Sequence, residues 1–505
     1  MPNPEQTFER VCDLHRDAAK IETAAELLEW DERTGMPSGA AEYRAEQVMQ
    51  LRGIVHRMRT KPEVGDWLDE LANWDLARDP HSSIGATVHH LKRDFERKRR
   101  LPTTLVESIA GATVRGQGKW DAARRSDDYR LFQPSLDEML CLKREAAAAI
   151  ADDGQSLYEA LLDEYEPGGK VDQIERVFDS MRSQLVPLIA EIRDAPRQPD
   201  PSMLRQPLNV DGQAQLSQRL AQAIGFDFSR GRLDTTSHPF CTTLGPSDCR
   251  ILTRYEENHL ATSVYGTLHE AGHGLYEQGL PTSWFGLPPG QYASLGIHES
   301  QSRLWENLVG RTLPFCQFAL PMFIECLPQL AGMDAESLHA GFNVVAPSLI
   351  RVEADEATYN LHILIRFELE RALIAGDLKS GDLPGAWDDA YESTLGIRPP
   401  SAADGVLQDV HWSAGLIGYF PTYSLGNLAA AQLMAAARES LPDLDEQIRL
   451  GQFEPLLHWL RHHVHRHGRC YSADELVRNA TGKSLSIGPL IDSLRSRYAA
   501  IYELS

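Results

Sequence analysis

Residues 8–30 set Val11, Leu14, Ala18, Ile21, Ala25 and Leu28 three and four positions apart. That spacing lines one face of an α-helix. A chain that repeats it can bury its apolar residues only by packing helices against other elements. The same period predicts helices over 41–60, 86–99, 135–151 and 171–193. Pro167-Gly168-Gly169 breaks the pattern after Tyr165, and Asp194–Pro207, with four prolines, reads as a loop.

The pattern changes only between Gly231 and Tyr255. There LDTTSHPFCTTLG and DCRILTRY are rich in strand formers, and Gly245-Pro246-Ser247-Asp248 between them is a turn signal. A small antiparallel sheet is expected over 231–255. Helices resume at about 258, and residues 295–311 predict one more. With no repeat period in view, one large, mainly α domain over 1–505 is expected, with 1–100 as a helical lid.

The net charge of −22 argues against nucleic acid and anionic membrane as partners, since both require a basic footprint. Seven cysteines without a C-x-x-C point away from a disulfide framework or a thiolate zinc site, and towards a cytoplasmic protein. The N-terminus has neither the basic nor the apolar region of a secretory signal. The most membrane-like stretch, 313–332, holds three prolines and Glu325 and reads as buried or interfacial protein.

One segment carries chemistry. His269-Glu270-Ala271-Gly272-His273 is an H-E-x-x-H. Two histidines four apart on a helix point the same way, one turn apart, and can share a metal ion. Glu270, one step round the helix from His269, can reach a water on that ion as general base. A catalytic zinc usually takes a third protein ligand. Glu277 lies about 12 Å along the helix from His269, too far for both to hold one ion. The third ligand must come from a second helix, and 295–311 places His298 and Glu299 near its start. Spacing leaves both open, although Glu299 would give the two-His, one-Glu zinc set.

These residues resemble the thermostable metallocarboxypeptidases of the Taq carboxypeptidase type. The likeness spans most of the chain. The family's HPF matches His238-Pro239-Phe240, its H-E-x-x-H matches 269–273, and its H-E-(S/G)-Q matches His298-Glu299-Ser300-Gln301. Its (I/V)-R-x-x-A-D matches Ile350–Asp355, and its G-x-x-Q-D-x-H-W matches Gly405–Trp412. One motif departs: the family's D-x-R-x-T reads Asp248-Cys249-Arg250-Ile251-Leu252 here. Thr253 follows, but successive strand residues face opposite sides, so it is no simple substitute.

The resemblance implies a zinc carboxypeptidase of broad specificity acting on peptides with a free C-terminus. It implies a helical fold with a deep substrate cleft, similar to neurolysin and angiotensin-converting enzyme, one Zn²⁺ per chain (Co²⁺ as a possible substitute) and a homodimer. It assigns Glu299 as third ligand. On the substrate side, Arg351 is expected to grip the terminal carboxylate through its two-pronged guanidinium, with Arg250 as the other candidate. Tyr423 and His411 are expected as donors to the oxyanion. His238 would line the cleft or brace the sheet, and a strand edge in 231–255 could take an extended peptide. Asp355 and Asp409 read either as partners orienting ligand imidazoles or as helix caps and ion-pair partners. Arg461–His467 reads as the cationic end of a helix. The competing functions are an oligopeptidase cutting inside short peptides and a metal-dependent binding protein without turnover.

Overall fold

The structure, a computed structural model, describes residues 3–504. The apolar stripe at the N-terminus forms helix α1, Pro4–Thr34, whose first turn is capped by the Asn3 side chain accepting from the Glu5 N–H. It pairs with α2, Ala41–Arg59. The other predicted runs are helices over Ser83–Arg100, Gln133–Ile150 and Val171–Arg193. The helix Thr103–Ser126 had no visible stripe, because most of its buried positions are the small residues Ala112, Gly116 and Ala123. No helix among the described residues is long and apolar enough to cross a membrane, and 313–332 forms the short helix Leu313–Cys326 with Pro321 inside it.

Three strands form the sheet: β1, Gly231–Thr235; β2, Cys241–Gly245; and β3, Asp248–Thr253. β2 and β3 make the antiparallel hairpin that the Gly-Pro-Ser-Asp turn predicts. β1, however, pairs with β3 in parallel, from Gly231↔Cys249 to Thr235↔Thr253, giving the order β1-β3-β2. The sheet is therefore mixed, which corrects the expectation of an antiparallel one. β3 carries the most buried side chains, Cys249, Ile251 and Leu252, and so takes the centre between its two sequence predecessors.

Cα packing resolves two compact units. The first takes the chain up to Lys98 together with Pro199–Phe342 and Ala429–Leu485. The second takes Arg99–Gln198, Asn343–Leu428 and the chain from Ser486. In the first unit, helix α3, Leu260–Gly279, lies under the sheet: a Cβ on Gly274 would meet Ile251 at 3.1 Å. Helix α4, Leu295–Arg303, begins at Ser294, whose hydroxyl accepts from the Ile297 N–H. It continues as a π-helical turn over Leu304–Val309, within the predicted 295–311. The second unit is built on α5, Glu356–Ala375, which ends at Gly376 in the left-handed region (φ 87°). Helix α6 spans Pro421–Ser440.

The crossing of α3 and α4 is set by one glycine. A Cβ on Gly272 would stand 2.6 Å from the Gln301 carbonyl oxygen and 2.7 Å from the Ser302 Cα. Both are backbone atoms, so the helices could only move apart. Gly272→Ala is therefore expected to destabilise the fold by about 1–3 kcal/mol despite alanine's better helix propensity. Gly266→Ala, on the same helix, meets only the Thr253 hydroxyl, at 3.4 Å, and should be neutral or mildly stabilising. Urea denaturation of the two variants beside the parent checks the contrast; equal stability would refute it.

Candidate active site

The four-residue spacing on α3 sets His269 and His273 edge to face, with ring centroids 4.8 Å apart. Each ring is held at its inner nitrogen. His269 Nδ1 lies 2.8 Å from Glu306 Oε2, and His273 Nδ1 lies 3.1 Å from the His298 carbonyl oxygen. Both Nε2 atoms therefore face Glu299, at 3.6 Å and 3.5 Å from its Oε2. Those separations exceed a hydrogen bond. Two ligand atoms each about 2.1 Å from one ion at the tetrahedral angle stand about 3.4 Å apart. The donor set therefore fits a divalent ion of zinc's preferences. Among the described residues it is the one group of three His, Cys, Asp or Glu side chains so arranged, with ligand atoms within 4.8 Å of one another.

Arg303 braces the carboxylates, donating to Glu299 Oε1 at 2.7 Å and to Glu306 Oε2 at 3.2 Å. Burial alone would raise the Glu306 carboxyl, but Arg303 and then His269 hold it down at about 2. Burial likewise pulls His269 down, yet Glu299 and Glu306 carry it above its ordinary value. His273 is pushed well below the usual range by burial and by His298 and His269. Glu270 is buried, and one of its oxygens, Oε2, has no hydrogen-bond partner. Burial, opposed by His269 and aided by Glu299, raises its carboxyl to about 7, the range of a working general base.

Glu306 was missed in the sequence, where Asp355 and Asp409 were the carboxylates considered for orienting an imidazole. Asp355 instead caps α5, accepting from the Ala357 and Thr358 N–H groups. Asp409 binds two arginines. The available signal was Glu306 lying seven residues after Glu299, two turns along the same helix face. His298, the alternative ligand, turns its Nε2 to Glu277 Oε1 at 3.0 Å and stacks on His273 at 4.3 Å.

Arg250 lies in the first unit, on the sheet face away from α3. It holds Asp248 in a two-pronged pair at 3.0 and 2.9 Å, and its guanidinium lies 4.3 Å from the Trp30 ring centroid. His238 is exposed in the connection from β1 to β2. Leu252 is fully buried where the family carries Thr, and the neighbouring Thr253 hydroxyl is buried without a partner. The Arg461–His467 run ends the helix Glu454–His463, as expected, and buries His465, whose Nε2 meets Gln301 Oε1 at 2.9 Å.

The second unit gathers Arg351, His411 and Tyr423. Arg351 is buried; its Nε and Nη2 donate to Asp409 Oδ1 at 3.0 and 2.8 Å, and its Nη1 donates to Tyr359 at 3.0 Å. Its carboxylate partner is therefore Asp409, not the nearby Glu353 or Asp355. Arg366, fully buried, donates to Asp409 Oδ2 at 2.6 Å. One carboxylate therefore serves two guanidinium groups. His411 Nε2 lies 3.3 Å from the Tyr423 hydroxyl. Burial, reinforced by Arg351 and Arg366 against the pull of Asp409, drives His411 down to about 3, so it is neutral at pH 7.

A family model, Carboxypeptidase Taq (M32) metallopeptidase, matches residues 10–498. This chain belongs to that family. It is 41% identical to thermostable carboxypeptidase 1 of Thermus thermophilus, over 99% of each chain. It is 35% identical to carboxypeptidase 1 of Bacillus subtilis, again over 99% of each. The crystal structure of the M32 carboxypeptidase from Deinococcus radiodurans superposes with a TM-score of 0.95 at 39% identity, covering 99% of this chain and 100% of that one. The chain is accordingly a metallocarboxypeptidase, a hydrolase of peptides.

Asp409 gives the second unit a sharp pH signature. Burial would raise its carboxyl, but Arg351 and Arg366 hold it well below the usual aspartate range. A carboxyl with a lowered folded value stabilises fully above about pH 4 and loses that contribution as acid protonates it. Asp409→Asn leaves two buried guanidinium groups uncompensated and should cost about 3–5 kcal/mol at neutral pH. Its stability should also change less than the parent's between pH 5 and 2.5, by guanidine denaturation. Parallel pH curves for the two proteins would contradict the assignment.

Proposed function

We propose that the chain is a zinc carboxypeptidase removing C-terminal residues from peptides. His269, His273 and Glu299 serve as the protein ligands and Glu270 as general base. The observation that carries the reading is the convergence of three ligand atoms within 4.8 Å, with both imidazole Nε2 atoms 3.6 and 3.5 Å from Glu299 Oε2 and the Glu270 carboxyl buried on the same helix as the histidines. When bound, the ion supplies a Lewis acid for the scissile carbonyl and for water. Glu270, buried one step round α3 from His269, takes the proton of the attacking water and passes it to the leaving amine. Glu306 and the His298 carbonyl fix the two imidazoles with Nε2 free to ligate.

On the substrate side we assign the terminal carboxylate to Arg351. Two arginines sharing Asp409 leave an excess positive charge in a buried setting, which an incoming carboxylate neutralises. Tyr423, paired with neutral His411, is assigned as donor to the oxyanion. Zinc is the proposed ion, with cobalt as a functional substitute, in a cytoplasmic homodimer.

Glu270→Gln keeps the shape of the side chain and removes its basicity. Metal content by elemental analysis should stay near one ion per chain while peptide turnover falls at least ~10²-fold. Near-normal turnover would remove Glu270 from the mechanism.

Glu299→Ala should lose the ion, and His298→Ala should retain it, because the backbone carbonyl that holds His273 survives that change. Glu306→Gln should weaken metal affinity by about 10–100-fold through the freed His269 ring. Competition with a chromogenic chelator measures all three. Full occupancy in Glu299→Ala with loss in His298→Ala would reverse the ligand assignment.

A free peptide and its C-terminal amide separate a carboxypeptidase from an oligopeptidase. The parent should cut only the free form. Arg351→Ala should slow that cleavage by about 2–5 kcal/mol in kcat/KM with metal content unchanged, and Arg351→Lys should recover part of it. An Arg351→Ala enzyme with full discrimination would move the carboxylate to another cation, and cleavage of the amide would favour the oligopeptidase.

A further inference from the structure

Cys241 and Cys249 stand apart from the site residues discussed so far, yet their sulfurs approach to 3.7 Å. The register explains why. Cys241 opposes Ile251 and Thr243 opposes Cys249, so the two thiols are diagonal neighbours on one face of the β2–β3 hairpin. That face lies on α3, where Cys249 Sγ sits 4.0 Å from the Gly274 carbonyl oxygen. Cys241 is half-buried on an edge strand, and Cys249 is buried at the centre. Cys241 directly follows His238-Pro239-Phe240, and Cys249 sits between Asp248 and Arg250.

We infer that Cys241 and Cys249 are an oxidation site, closing to a reversible disulfide that latches edge strand β2 to β3 above the H-E-x-x-H helix. The oxidant is a hydroperoxide. The Cys241 sulfur attacks the O–O bond, keeps one oxygen as a sulfenic acid and releases water or an alcohol. The Cys249 sulfur then attacks the sulfenic sulfur, and the departing hydroxide leaves as water with the Cys249 proton. Two electrons pass from the sulfurs to the peroxide. A dithiol reductant returns both thiols by exchange. The first step is slow, because the Cys249 contact and burial hold the Cys241 thiol well above its ordinary value. The second is fast, because the resolving sulfur is already in contact.

The latch reaches the metal site through a short chain of contacts. Thr243, two residues beyond Cys241 on the same face, donates to Glu277 Oε2 at 3.1 Å. Glu277 holds the His298 ring, and His298 holds His273 through its carbonyl and its stacked face. Drawing Cys241 towards Cys249 shifts Thr243 against Glu277, so closure should slow turnover without expelling the ion.

The test uses the metal-loaded full chain carrying Cys141→Ser, which removes the exposed thiol and leaves six of the seven cysteines. After prolonged exposure to hydrogen peroxide, intact mass should fall by two hydrogens, and alkylation after unfolding should find four thiols. Proteolysis should yield one peptide pair joined through Cys241 and Cys249. Peptide kcat/KM should fall severalfold with metal content unchanged and recover with dithiothreitol. Cys249→Ser should instead hold a sulfenic acid at Cys241, trapped by dimedone. Free, alkylatable thiols at 241 and 249 in the peroxide-treated parent, under conditions that oxidise its Cys141, would overturn the inference without recourse to any variant. A disulfide at 241–249 with unchanged kcat/KM would overturn the latch.

Discussion

Everything in the first unit's site depends on how closely two helices cross. Gly272 lets the backbone of α4 come within van der Waals reach of α3. That contact, rather than any single ligand, brings a carboxylate from one helix between two imidazoles of the other. A larger residue at 272 would leave all donors present but carry Glu299 away from the two imidazoles. The glycine at the fourth position of His-Glu-Ala-Gly-His is thus a geometric requirement of the site that the general H-E-x-x-H pattern does not express.

The same close packing buries charge, and the structure handles it by sharing. Arg303 spans Glu299 and Glu306, and Arg311 approaches the other oxygen of Glu306 at 3.8 Å, so two cations serve two carboxylates beside two imidazoles. In the second unit two arginines share one carboxylate, Asp409.

Much of this was legible in the sequence. The helical period and the β2–β3 turn are local signals that return as helices and a hairpin, and the H-E-x-x-H lies on a helix as its spacing predicts. What failed was non-local. The place of β3 between β1 and β2 depends on which strand is most apolar on both faces, a property of the folded sheet. Glu306 was overlooked because its value lies in a contact with His269, 37 residues away. Nothing local to Arg351 announces its partner either: the fold supplies Asp409, 58 residues on. The sequence motifs mark which residues matter, and pairing among them is decided by packing.

The interleaving of the two units has a consequence for biosynthesis. Each is assembled from three separated stretches, the first closing only with Ala429–Leu485 and the second only with the residues from Ser486. A ribosome releases the chain at about 5–20 residues per second, N-terminus first. The early helices must therefore wait tens of seconds, with apolar stripes uncovered, for partners encoded near the far end.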